Sequence, residues 1–205
     1  PLDARVVREQ GRVFVFGLPE TAIDDAANKL TRVFGIHSVS PALAVEKDWD
    51  KIVEAAKTLV GSRIAGLSQA SFKVIARRAD KRFPMCSQDI CRTLGGLLLE
   101  AFPALRVDVH KPDFYVGVEV RQEQAFVFSD EILGAGGMPV GTNGHAMLLI
   151  SGGIDSPVAG HMIAKRGVKI SAVHFYSYPY TSERAREKVV ELTKILASYA
   201  GEVGL

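Results

Sequence analysis

The most specific chemistry in this chain lies in one hexapeptide, Ser151-Gly152-Gly153-Ile154-Asp155-Ser156. Two adjacent glycines let the backbone turn sharply and approach a ligand closely. Their N–H groups converge with those of a following helix, which Pro157 suits as a first residue. The positive end of the helix dipole strengthens that spot as an anion hole. Ser151 and Ser156 add hydroxyl donors for phosphate oxygens. Asp155 is placed to cap the helix or to face a magnesium ion carried by phosphates. The bland alternative is a tight strand-to-helix turn. Two other glycine motifs do not fit. A Walker loop ends in Gly-Lys-Ser or Gly-Lys-Thr, and no lysine occurs between Lys111 and Lys165. The dinucleotide fingerprint fails because Pro139 stands where its third glycine belongs.

Other candidates are weaker. Between Lys73 and Arg92 six basic residues face only Asp80 and Asp89, which leaves four net positive charges. That run reads as a solvated face or as a phosphate-binding patch, and charge alone favours the face. Cys86 and Cys91 form no Cys-x-x-Cys pair and read as structural. His37, His110, His145 and His161 lack metal-like spacing. His174 sits at the end of an apolar strand, where open α/β sheets bind ligands. Tyr178, Tyr180 and residues 181–184 read equally as a helix cap or as a lid.

Elements must hold these residues in place. Residues 146–150 form a continuous apolar strand of the type buried in parallel sheets. A helix, a second apolar strand at 168–175 and a long helix from Ser182 follow, giving a βαβα start. Upstream, residues 12–17 read as a strand and residues 21–34 as a helix stopped by Gly35. Residues 39–45 read as another strand. Asp48 opens a helix that Gly61 closes, residues 71–79 form a strand, and Ser87 caps a helix that stops at Pro103. Residues 106–110 and 114–121 read as a hairpin, followed by a short strand at 125–129. The five glycines and Pro139 of residues 134–144 read as a linker or loop.

At 205 residues the chain holds one large domain or two to three small ones. Its ordinary apolar and charged content excludes a disordered chain. No apolar run approaches the length of a membrane-spanning helix. Two cysteines are no disulfide framework, so a reducing cytoplasm is expected. The start at Pro1 reads as a fragment or a lost first residue.

The hexapeptide resembles the pyrophosphatase loop (PP-loop) of the ATP-pyrophosphatases, which cleave ATP between its α and β phosphates. Three further segments narrow the resemblance. Gly136-Gly-Met-Pro-Val-Gly141, residues 147–159, and His174-Phe175 with residues 178–184 are similar to the tRNA uridine 4-sulfurtransferase family. Arg77-Arg-Ala-Asp-Lys-Arg-Phe-Pro84 is similar to the THUMP domain, an RNA-binding module. The resemblance covers nearly the whole chain in family order. It implies an α/β and α+β multidomain fold. A partial ferredoxin-like domain would occupy 1–47 and THUMP 48–131. A parallel-sheet PP-loop domain, incomplete at its C-terminal end, would occupy 132–205.

The resemblance also implies an activity. The enzyme would adenylate O4 of a tRNA uridine with ATP and Mg2+, and a persulfide on a downstream cysteine would then deliver sulfur. No cysteine follows Cys91, so that cysteine is not on this chain. Asp155 and Ser151 would be catalytic. Met147, Leu148, Leu149, Ile150, Ser151, Gly152, Gly153, Asp155, Ser156, His174 and Phe175 would bind the nucleotide. Lys73, Arg77, Arg78, Lys81 and Arg82 would bind RNA. Partners would be tRNA, a cysteine desulfurase, a thiamine sulfur-carrier protein and a second copy in a homodimer, with no membrane. The rival readings are a PP-loop small-molecule ligase and a non-catalytic RNA-binding protein; a THUMP methyltransferase is weaker.

Overall fold

The first described element is a hairpin that the residue pattern does not predict. In the computed structural model, which describes residues 4–9, 11–129, 131–177, 179–180 and 182–205, β1 (Arg5–Glu9) pairs antiparallel with β2 (Arg12–Phe16). Gly11, at φ 74°, makes the tight turn between them. Helix α1 (Glu20–Leu30) and β3 (Ser38–Val39) follow. The chain divides into two compact units: residues 40–131, and residues 1–39 with 132–205. The strand expected at 39–45 is split between them. Its second part, β4 (Ala42–Glu46), joins the unit 40–131.

Unit 40–131 runs β4, α2 (Trp49–Ile64), β5 (Ala70–Arg78), α3 (Ser87–Ala101), β6 (Leu105–Val107), β7 (Phe114–Val120) and β8 (Gln124–Phe128). The five strands form one mixed sheet in the order β4-β8-β7-β5-β6. Helices α2 and α3 cover it, and Phe72, Ile52, Ile90, Leu94, Leu98 and Val118 are sealed between the layers. The helical periodicity predicts those apolar faces, because one face every 3.6 residues must meet the sheet.

The expected hairpin of 106–110 with 114–121 does not form. β6 and β7 lie on opposite sides of β5, each parallel to it. Side chains of the connecting loop carry the chain across the end of β5. The Asp108 carboxylate accepts from His110 N and Lys111 N, both at 2.9 Å. The Asp113 carboxylate accepts from Ser71 N at 2.7 Å and Ser71 Oγ at 2.6 Å. The hairpin that does form joins β7 to β8. Two helix limits also differ. Gly61 lies inside α2, where a Cβ would meet the Phe102 ring at an ordinary 3.7 Å; the helix ends at Ile64, with Ala65 as its C-cap before Gly66 at φ 82°. The N-cap of α3 is Cys86 rather than Ser87: its Sγ accepts from Asp89 N at 3.4 Å and donates to Asp89 Oδ2 at 2.9 Å.

Asp80 ties this unit together. It is 5% exposed and bonds Lys47 Nζ at 2.7 Å and Arg82 Nε at 3.0 Å. The Arg82 guanidinium, then the Lys47 ammonium, hold its carboxyl far below the usual carboxylate range. A depressed folded value means the ion pairs stabilise the fold above the unfolded carboxylate pKa of ~3.9, and that this contribution fades as pH falls further. The chain has a single tryptophan, Trp49, packed against this core. Urea unfolding followed by its fluorescence is expected to show Asp80→Asn less stable than wild type at pH 7. The gap is expected to narrow below pH 4. A gap independent of pH would count against this account.

The other unit continues with β9 (Ile132–Leu133), β10 (His145–Leu149), α4 (Asp155–Ala164), β11 (Lys169–Val173) and α5 (Glu183–Ala200). β9 pairs antiparallel with β3, and β10 pairs parallel with β11. Ser182 caps α5 by accepting from Ala185 N at 3.3 Å. Of the other cap or lid candidates, Tyr180 is exposed, and Tyr178 and Thr181 lie outside the described residues. The glycine-rich stretch 134–144, expected as a linker or loop, is a loop bonded along its length. Gly134 N donates to His37 O, Met138 N to Lys165 O, and Gly141 N and Asn143 N both to Gly167 O. Gly137 must be glycine twice over: its φ is 79°, and a Cβ there would collide with Lys165 O. Phe34 is buried beneath, edge-on to His161 at 5.0 Å.

Candidate phosphate-binding site

The loop 150–154 leaves the end of β10 and enters α4. Ile150 is buried, and its N–H still donates to Val173 O, so the strand pairing runs up to the loop itself. Gly160 seats the helix. A Cβ there would lie 2.6 Å from Leu148 Cδ2 and 3.0 Å from Leu196 Cδ2. The missing side chain lets α4 lie close against β10 and α5, which aims its N-terminus at the strand end.

Ser151 and Ser156 close the loop on itself. Ser151 N donates to Ser156 Oγ at 2.9 Å, the two hydroxyls are 3.2 Å apart, and Gly153 N donates to Ser151 Oγ at 3.3 Å. Helix α4 then starts without a side-chain cap, because its N-cap residue is Ile154. The first-turn N–H groups therefore keep the positive end of the helix open to an anion. Asp155 is the first residue of the helix rather than its cap, and it is exposed. Pro157 is the third rather than the first; its missing N–H is one of the orphan donors in either position.

His174 stands beside the loop at the end of β11. Its Nδ1 lies 3.0 Å from Ile150 O, while Nε2 is buried with no partner among the described residues. A proton on Nδ1, donated to that carbonyl, leaves Nε2 as a shielded acceptor. Phe175 is 78% exposed, and Met147 and Leu149 of β10 are 65% and 64% exposed; Leu148 faces inward against Ile170 and Ala164. Among the described residues, no cluster of three or more His, Cys, Asp or Glu could hold a metal ion. A magnesium ion would fit only in the manner of one bound mainly through phosphates, with the Asp155 carboxylate beside it.

The basic residues of unit 40–131 divide by role. Arg78 Nη1 donates to Phe83 O and Met85 O, each at 3.0 Å, and so clamps the turn after β5. Arg82 is bound to Asp80, and Lys73 Nζ donates to Val109 O at 3.0 Å. Arg77 and Lys81 are exposed, with no hydrogen bond or ion pair to another described residue. Charge density in the sequence does not separate these roles, because the partners of Arg78 and Lys73 are backbone carbonyls.

A parallel strand pair, a Gly-Ser loop and an uncapped helix start make a candidate phosphate site of the α/β type, here in one chain with a mixed-sheet α/β unit. The family model of the THUMP domain matches residues 46–130, and that of the thiamine biosynthesis protein (ThiI) matches residues 141–205. The chain is 52% identical over 202 residues to a probable tRNA sulfurtransferase of Acetivibrio thermocellus, covering 98% of this chain and 51% of that protein. It is 50% identical over 201 residues to a probable tRNA sulfurtransferase of Lachnoclostridium phytofermentans, with the same coverage. A crystal structure of a 4-thiouridine synthetase–RNA complex with bound ATP superposes with a TM-score of 0.86 at 41% identity, over 97% of this chain and 50% of that one. A solved protein of Pyrococcus horikoshii superposes with a TM-score of 0.87 at 30% identity, over 98% and 67%. The chain thus carries a THUMP region followed by a ThiI region, and over nearly its whole length it is similar to tRNA sulfurtransferases. It spans about half the length of the curated relatives it matches. Among the described residues, no helix is long and apolar enough to cross a membrane.

Proposed function

We propose that this chain is the RNA-binding and ATP-loop part of an ATP-dependent tRNA sulfurtransferase that forms 4-thiouridine. The observation that carries the reading is the open helix start behind Ser151-Gly-Gly-Ile-Asp-Ser156, in a chain that also holds a THUMP sheet. The 41%-identical 4-thiouridine synthetase, solved with RNA and ATP, supports it.

In this reading the loop and first-turn N–H groups hold the phosphate chain of ATP. Ser151 and Ser156 turn their hydroxyls from each other to phosphate oxygens. The same donors stabilise the charge that gathers on pyrophosphate as O4 of uridine attacks the α phosphate. AMP then leaves C4 when the outer sulfur of a persulfide, on a cysteine outside these residues, attacks there, and a second thiol attacks the inner sulfur, forming a disulfide and releasing the thiocarbonyl. The buried Nε2 of His174 accepts from a donor on the nucleoside, and Phe175 with Met147 and Leu149 gives the base an apolar wall. A bound magnesium ion would spread the negative charge of the phosphates beside Asp155. A cysteine desulfurase charges the persulfide, and thiazole synthesis for thiamine draws sulfur through a small carrier protein.

The test is tRNA thiolation by the full-length protein, given ATP, a persulfide source and tRNA, with 4-thiouridine measured by mass after nuclease digestion. Thiolation that requires ATP and releases pyrophosphate is expected. Transfer of sulfur without ATP would overturn the reading.

A further inference from the structure

The phosphate loop carries no cation of its own. Residues 122–164 contain neither lysine nor arginine, and Asp155 adds a negative charge. A polyphosphate held there needs compensating charge from another part of the fold. Lys165 and Arg166 follow the far end of the ten-residue α4, about 15 Å along its axis. Lys169 begins β11, at the opposite end of the strands from the loop.

Lys188 is placed differently. It lies on the second turn of α5, beside the buried Val189, whose packing sets the rotation of the helix. Its Cδ is 3.8 Å from where a Cβ on Gly152 would stand, and no other atom beyond the loop's immediate neighbours comes within 4 Å of that point. The ammonium is two bonds further on. It is exposed and makes no ion pair or hydrogen bond with another described residue, although Glu187 and Glu191 share its helix.

We infer that Lys188 is a phosphate-contact residue, which brings to the loop the cation its own motif lacks. The inference rests on the nucleotide reading given above. Its ammonium neutralises phosphate oxygens held over Gly152, in the role that a Walker lysine fills from within its own loop. Its position on α5, far along the sequence from the motif, hides it from motif reading.

The experiment compares wild type, Lys188→Ala and Lys188→Arg in the full-length protein by calorimetric titration with ATP and with adenosine. Circular dichroism melting verifies that each variant is folded. The alanine variant is expected to bind ATP about tenfold or more weakly, since a charge-assisted bond is removed. Arginine is expected to recover most of that affinity, and adenosine to bind all three alike. Equal ATP affinity in wild type and Lys188→Ala would overturn the inference and leave the nucleotide reading standing. Equal weakening of adenosine and ATP would overturn it too, because it would reveal a packing role. A wild-type protein that binds no ATP would remove the nucleotide reading itself.

Discussion

Asp155→Ala in the full-length protein is expected to lower tRNA thiolation about 100-fold or more, the scale of losing one preorganised electrostatic group at a reacting centre. Its effect on folding is expected to be small. Asp155 is exposed on the first turn of α4, and removing its favourable interaction with the helix dipole costs only about 0.3–1 kcal/mol. Asp155→Asn separates charge from shape. It keeps the size and the oxygen acceptor but loses the carboxylate, so it is expected to fall with the alanine variant. Steady-state thiolation at saturating tRNA, alongside thermal melts, checks both. Turnover at the wild-type rate in a folded Asp155→Ala protein would remove this residue from the chemistry.

The second large effect separates two neighbouring arginines. Arg77→Glu with Lys81→Glu is expected to weaken tRNA binding at least tenfold and to lower the salt dependence of log K by about two, one for each phosphate left without its cation. Both residues are exposed and without protein partners among the described residues, so the fold is expected to be unaffected. Arg78→Glu is expected to act otherwise. It strands the carbonyls of Phe83 and Met85 and costs roughly 2 kcal/mol of stability. Its weaker tRNA binding would follow the unfolding of that turn. Filter binding across a salt series, with urea midpoints measured in parallel, distinguishes the two. Unchanged tRNA affinity and salt slope in the double variant would take this patch off the RNA surface.

Much of this was legible along the chain. Glycines and serines at fixed spacing between an apolar strand and a helix mark the candidate loop locally, since its backbone and hydroxyl donors come from six consecutive residues. The faces of α2 and α3 followed from their 3.6-residue period, and Asp48 was found as the opening of α2 because a cap bonds N–H groups only two and three residues away. Other features depended on residues far apart. Residues 106–121 alternate like a hairpin, yet β5 lies between their two halves; alternation records which face is buried, not which strand is the neighbour. The glycines of 134–144 read as linker or loop, and only the fold shows the loop tied down, because its bonding partners, His37, Lys165 and Gly167, lie elsewhere in the chain.

The same division holds within the site. The identity of the loop and the direction of its helix dipole were set by local residue types and backbone freedom. The burial of His174 Nε2, the occupation of Arg78 and Arg82 by their own fold, and the approach of Lys188 to Gly152 were decided by packing between separate elements. A hydrogen bond or a charge acts through distance in space. Only the folded chain assigns those distances to residues that the sequence keeps apart.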